Sequence, residues 1–227
     1  FDDRESLTVA MQGVSGLFAL TTPFEAGVDA EIRQGRAIVA AARQARVPHL
    51  VFSSVAGADQ YTGVPHFDSK AVIESEIVTA GVPYTILGPT YFFDNALGGA
   101  DRILAGVLEL PLSSDRPLQQ LARPDLGAFA AEVFAQPDRY LNKRIELASD
   151  APTPLQMATA LSGALGRPVR YEPVPLDAIG NPDMHAMWEF LNGPGYQVDI
   201  TALHDAHPHL SWTSFADWAG HAFGAAS

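Results

Sequence analysis

The stretch Arg46-Val47-Pro48-His49-Leu50-Val51-Phe52-Ser53-Ser54 decides the fold, because one helical pattern stops in it and a strand begins. Upstream, Val28, Ile32, Ile38, Val39 and Ala42 fall on one helical stripe, and Arg46-Val47-Pro48 is a breaker that forces the helix to end there. Residues 50–52 then form a short run of branched and aromatic side chains, which reads as a buried strand. Two runs of the same kind flank it, at residues 14–20 and 84–87. Between the second and third, Val72, Ile73, Ile77 and Val78 repeat the helical stripe, and Ala80-Gly81-Val82-Pro83 closes it. Strand, helix, strand, helix, strand at a spacing of about thirty residues is the length of a βαβ crossover. The expectation is an α/β chain with a Rossmann-like doubly wound parallel sheet.

Beyond Pro89 the pattern loosens, and Gly98-Gly99, Pro111 and Ser113-Ser114 interrupt shorter helical stretches. Residues 124–134 read as a helix opened by proline and 144–147 as a strand, while Thr153-Pro154 gives an N-cap and a first-turn proline. The rest is helix-rich, with one candidate strand at residues 169–172. The expected organisation is a Rossmann-like sheet part at residues 1–89 and 120–150, and a smaller α+β lobe at 90–119 and 151–227. Trp188, Phe190, Trp212, Phe215, Trp218 and Phe223 supply the core of that lobe, and some of them could also wall a pocket for a flat substrate.

Composition excludes several function classes. Of 227 residues, 47% are apolar and 18% charged, so the chain can build a core and is not a disordered polyelectrolyte. The formal charge is −12, and each half carries 7 basic and 13 acidic residues, so no basic arm is set aside for nucleic acid. There is no cysteine, which removes disulfides and thiolate metal sites and suits a reducing cytoplasm. No apolar run approaches the roughly 18 residues of a membrane span, and Phe1-Asp2-Asp3-Arg4-Glu5 is unlike a signal peptide. A soluble cytoplasmic protein with no membrane or nucleic-acid partner is the expectation. The cluster His204-Asp205-Ala206-His207-Pro208-His209 has poor metal-ligand spacing, since Pro208 turns the chain, and it reads as a solvated loop.

The chemistry concentrates at Ser53-Ser54 and His66-Phe67-Asp68-Ser69-Lys70. A strand ends in two hydroxyls, and a helix begins about a dozen residues later with His66 and Lys70 four apart on one face. Two readings stand here. The pair is either an exposed polar decoration at a helix start, or a cation beside a proton donor that can hold a ribose and a carbonyl. Lys70 is one of two lysines, the other being Lys143.

Taken in order, these segments resemble the NmrA-like branch of the atypical short-chain dehydrogenase/reductase superfamily. The likeness runs through residues 13–23, the Ser53-Ser54 and His66…Lys70 segment, residues 81–95, Leu141-Asn142-Lys143-Arg144-Ile145-Glu146-Leu147 and Leu165-Gly166-Arg167-Pro168-Val169-Arg170-Tyr171, so nearly the whole chain is covered. The resemblance implies NAD(P)(H) binding, with NADP(H) the commoner choice. It places Thr21, Thr22 and Pro23 along the cofactor, Ser53 and Ser54 near its nicotinamide end, Lys70 on the nicotinamide ribose, and Pro89, Thr90, Tyr91 and Phe92 under the carboxamide, with Asn95 within reach.

Two departures from the family pattern matter. His66 stands where the wider superfamily has a catalytic tyrosine, so His66 and Lys70 are the candidate catalytic pair. Imidazole can donate a proton near neutrality, although a neighbouring cation weakens it in that role. No G-x-G-x-x-G occurs in the chain. By resemblance the glycine-rich turn belongs before Phe1, and without it β-strand residues 14–20 would lie at an open sheet edge. Two functions follow from the resemblance: an NAD(P)H-dependent oxidoreductase reducing a quinone or similar small carbonyl acceptor, or a non-catalytic redox sensor that acts through a protein partner. An epimerase or dehydratase is disfavoured, because that chemistry leans on the missing tyrosine.

Overall fold

The computed structural model describes residues 3–224; the outermost limits of the expected domains, at residues 1 and 227, lie outside the described residues. In chain order the elements are α1 (Arg4–Ala10), β1 (Leu17–Leu20), α2 (Val28–Ala45), β2 (Leu50–Ser53), α3 (Pro65–Ala80), β3 (Tyr84–Pro89), β4 (Tyr91–Phe92), α4 (Ala100–Leu104), β5 (Val107–Leu110), β6 (Gln120–Leu121), α5 (Arg123–Ala135), α6 (Pro137–Tyr140), β7 (Lys143–Leu147), α7 (Pro154–Leu165), β8 (Arg170–Pro173), α8 (Pro182–Asn192), α9 (Ile200–Ala206) and α10 (Phe215–Phe223). No helix of the described residues is long and apolar enough to cross a membrane. The chain divides into two compact units, Phe1–Pro89 with Gly127–Glu146, and Thr90–Leu126 with Leu147–Ser227. Against the expected 120–150, the segment that returns to the first unit is Gly127–Glu146.

The first unit is built on a sheet of order β1-β2-β3-β7. β1, β2 and β3 pair in parallel, and their register sets Leu20, Ser53 and Leu87 in one row at the carboxyl edge. Helices α2 and α3 cover the sheet through Ile38, Val39, Ala42, Ile73 and Ile77, which pack with Leu50 and Phe52 in one buried cluster. Burying a side chain the size of Ile77 contributes about 2 kcal/mol. Helix α2 ends with Arg46 at φ +55°, and the Val47 amide bonds back to the Ala42 carbonyl. Helix α3 opens on Pro65 and stops at Gly81, whose φ of +69° glycine adopts without strain.

Two expectations change in this unit. β1 starts at Leu17 rather than Val14, because Gly13 has φ +71° and a Cβ on Gly16 would fall 2.6 Å from the Phe134 ring. It is an edge strand, and Phe18 and Leu20 are 39% and 52% exposed. On α3, Val72 and Val78 face outward, whereas the buried stripe is Phe67, Lys70, Ile73, Glu74 and Ile77. Apolar periodicity misplaced that stripe because two of its positions hold charges.

In the second unit, β4 pairs in parallel with β6, and β5 with β8. β5 lies where the sequence suggested helical stretches only. Helix α7 carries the N-cap predicted at Thr153 with Pro154 in its first turn, and Gln156 extends it to a capping box. Phe93, Phe215 and Trp218 form the aromatic core, with Phe93 and Phe215 in edge contact at 5.4 Å. In α9, the His204 ring stacks on Trp212 at 4.5 Å.

Gly35 lies where α2 packs tightly on α3, since a Cβ there would meet the buried Ile73 side chain at 2.5 Å. Gly35→Val should therefore lower unfolding free energy by about 1–3 kcal/mol, the range for overpacking a filled core. Gly127, on α5, has nothing within 4 Å of its added Cβ. Gly127→Ala should raise stability by about 0.5–1 kcal/mol. Urea denaturation of both variants checks the pair.

Candidate active site

The carboxyl edge of a parallel sheet is where open α/β folds take ligands, because loops diverge there and leave a crevice. In this chain Thr21 follows β1 and Ser54 follows β2, each one residue past the aligned row of Leu20, Ser53 and Leu87. Helix α3 then brings Lys70 and Glu74, one turn apart, against that edge.

Lys70 does not point into solvent. Its Nζ donates to the Thr21 carbonyl at 2.5 Å and to Thr21 Oγ1 at 3.0 Å, and lies 2.8 Å from Glu31 Oε1. Glu31 projects from the first turn of α2 and is fully buried. Its carboxylate also accepts from Thr21 Oγ1 at 2.9 Å and from Ser69 Oγ at 2.5 Å. The ammonium further sits over the Phe52 ring, 5.4 Å from its centre. Burial pushes the Lys70 pKa down from its ordinary value, and the Glu31 carboxylate opposes that fall.

A second polar group adjoins the first. Ser54 Oγ donates to Glu74 Oε1, and Arg144 from β7 donates through Nε to Glu74 Oε2 at 2.9 Å. The same guanidinium reaches Glu146 Oε1 at 2.7 Å and the Val55 carbonyl at 2.9 Å, and Glu146 accepts the Gly57 amide at 2.7 Å. Burial raises the Glu74 pKa, while Arg144 and Ser54 hold it back. Sequence reasoning missed Glu31, Glu74 and Arg144. A signal existed for the first two: Glu31 lies on the stripe of Gly35, Ile38 and Ala42, and Glu74 follows Lys70 at i+4 on the stripe of Ile73 and Ile77.

The remaining candidates take distinct places. Ser53 is 8% exposed, and its hydroxyl makes no side-chain hydrogen bond among the described residues. Thr22 Oγ1 receives the Phe24 amide at 3.4 Å, and the Pro23 carbonyl receives that of Gly27 at 2.7 Å, so 21–27 is a self-bonded loop. His66 is half-buried between aromatic rings, 5.6 Å from Phe24 and 4.7 Å from Phe67. The Pro89 carbonyl accepts the Ala56 amide at 2.9 Å. Thr90, Tyr91 and Phe92 belong to the second unit. There Thr90 bonds the Leu147 carbonyl through both N and Oγ1 at 3.0 Å, and Phe92 is in register with Leu121. Burial raises the Tyr91 phenol to about 12, only partly offset by its bond to Asn95, so it stays neutral.

Lys70 contributes a positive charge whose hydrogens are taken up by Glu31 and Thr21, Ser53 a hydroxyl without a side-chain partner among the described residues, and Phe24 a 70%-exposed ring beside His66; chemically this donor set suits the nicotinamide riboside end of a dinucleotide. Residues 1–227 contain no glycine-rich turn to fit its pyrophosphate.

Arg144→Met would leave Glu74 buried without its cation and should cost roughly 3 kcal/mol at neutral pH. Glu74 has a raised pKa when folded, so the folded state holds its proton where the unfolded state has lost it, and stability falls as pH rises through that window. The deficit of the variant should therefore shrink toward pH 5, as urea titrations at both pH values would read.

The profile of the NmrA-like family matches residues 1–218. The NAD(P)H azoreductase of Xenophilus azovorans is 28% identical over 239 residues, covering 99% of this chain and 82% of the relative. The crystal structure of an NADPH-dependent quinone oxidoreductase from Escherichia coli, complexed with NADPH, superposes with TM-score 0.80 at 26% identity, over 98% of this chain and 81% of that one. The nitrogen metabolite repression protein nmr of Neurospora crassa is 27% identical over 191 residues, 77% of this chain but 37% of the relative. With a Rossmann-like fold and a match that runs almost from end to end, the chain belongs to the NmrA-like family.

Proposed function

We propose that this protein is an NAD(P)H-dependent oxidoreductase, with NADPH preferred and a cytoplasmic setting, that passes hydride to a quinone or similar small carbonyl acceptor. The observation that carries the reading is the Lys70 ammonium, held against Thr21 at the end of β1. Support for a nicotinamide cofactor comes from the named chemistry of the azoreductase and quinone reductase relatives.

A bound reduced nicotinamide supplies the hydride. The protein's part is to hold and shield. Lys70 offers its positive charge to the nicotinamide ribose, and Ser53 offers a free hydroxyl to the carboxamide. The Thr21-Thr22-Pro23 turn would line the cofactor, and Ser54, anchored to Glu74, would stand near its nicotinamide end. Pro89, which ends β3 at the same edge, would lie beside the carboxamide in this reading. A quinone that takes up hydride becomes a hydroquinone anion, which collects one proton from water, so a strong enzymic acid is not needed. His66 can assist but is not required.

A second reading has its own observation. All three Nζ hydrogens of Lys70 already have protein acceptors, in Glu31 Oε1, Thr21 O and Thr21 Oγ1, and the family includes the Neurospora repression protein. On that reading the protein binds NAD(P) without turnover and signals to a protein partner.

Steady-state loss of NADPH absorbance with a panel of quinones separates the two. Turnover with at least one acceptor, and preference for NADPH over NADH, is expected; tight NADPH binding with no turnover would select the sensor. Lys70→Gln should weaken NADPH binding by about 10–100-fold, the worth of a hydrogen bond to a charged group. His66→Asn should lower quinone turnover by less than about tenfold, because general acid catalysis normally contributes 10²–10⁴ and is not used here.

A further inference from the structure

Among the buried polar groups of the first unit, one carboxylate has no assigned role. Glu31 is fully buried and comes from a helix that supplies no other side chain to the candidate site. It is bound by three donors from two elements: Lys70 and its neighbour Ser69 on α3, and Thr21 after β1. Thr21 completes a closed ring, because its hydroxyl donates to Glu31 and accepts from Lys70 while its carbonyl takes another ammonium hydrogen. An isolated ammonium at 8% exposure would lose its proton or swing toward water. Here the ring denies it both.

We propose that Glu31 is a positioning residue, whose carboxylate keeps the Lys70 ammonium charged and seated against Thr21, so that α2 sets the pH range over which this edge of the sheet can hold a nicotinamide ribose. The proposal rests on the cofactor reading above for its functional half only. The charged groups facing Lys70 are few. Glu31 faces it from α2 and Glu74 from its own helix, the latter tied to Arg144 of β7; β1 and β2 present Thr21 and Phe52, which carry no charge. Burial and Glu31 therefore act in opposition on one proton, and removing the carboxylate leaves burial in command.

The two lysines make the test clean, since Lys143 is exposed and serves as an internal reference. In protein labelled with 13C-lysine, the two Cε–Hε resonances are titrated by NMR in wild type, Glu31→Gln and Glu31→Asp. The expected result is a Lys70 midpoint that drops by about one pH unit or more in Glu31→Gln, a tenfold loss of proton affinity, with Lys143 unmoved. Glu31→Asp, which keeps the charge at shorter reach, should fall between. NADPH affinity, measured in parallel, should weaken in Glu31→Gln at alkaline pH and converge with wild type at mildly acid pH.

A Lys70 midpoint unchanged in Glu31→Gln overturns the proposal, as does a merely lowered melting temperature with the same pH profile. If Glu31→Gln does not fold, Glu31→Asp decides, and an unchanged midpoint there overturns it equally. A shifted midpoint in a protein that binds no NADPH at any pH keeps Glu31 as the positioning residue and removes the cofactor reading instead.

Discussion

A lysine ammonium buried at the carboxyl edge of a parallel sheet is the constraint around which the first unit is arranged. Transferring such a charge out of water is prohibitive unless it is paired and its hydrogens all find acceptors. The chain meets that condition with Glu31 from α2 and with the backbone and side chain of Thr21. The pairing in turn requires α2 and α3 to lie close, which is why Gly35 sits where a side chain would strike Ile73. One electrostatic demand thus fixes a helix approach, a loop conformation and the choice of glycine.

The neighbouring group follows the same logic with the sign reversed. Glu74 is buried one turn along α3 and is held by Ser54 and Arg144, so cation and anion succeed each other along a single helix stripe. Each is served by a different element: Lys70 by α2 and the end of β1, Glu74 by the end of β2 and by β7. The carboxyl edge of the sheet is therefore cross-linked by polar bonds as well as by apolar packing. Ser53, beside these groups and without a side-chain partner among the described residues, is left available.

Much of the architecture could be read from residue patterns, and the reasons are local. Pro48 and Gly81-Val82-Pro83 stop helices through their own backbone preferences, and Thr153-Pro154 starts one through its hydroxyl. Residues 50–52 are apolar throughout, and residues 84–87 nearly so, with Thr85 bonded to the Tyr140 carbonyl, because parallel strands are covered on both faces. The reading failed where burial was not apolar. Val72 and Val78 were set inside because they are hydrophobic, yet the stripe belongs to Lys70 and Glu74, which are stable there only through partners 39 and 70 residues away. β5 was missed because its short run pairs with β8, more than sixty residues later.

By itself the sequence determined the alternation of strands and helices, the family to which they belong, and that Ser53 and Ser54 end a strand while His66 and Lys70 sit four apart on the helix that follows, because those depend on spacing and on short-range backbone chemistry. Only the tertiary structure decided what the lysine touches. That Lys70 turns inward to Glu31 and Thr21, while His66, four residues earlier, packs between Phe24 and Phe67, follows from the approach of α2 and the β1 exit to α3. The partner of a buried charge is chosen by distance in space, and no periodicity along the chain encodes it.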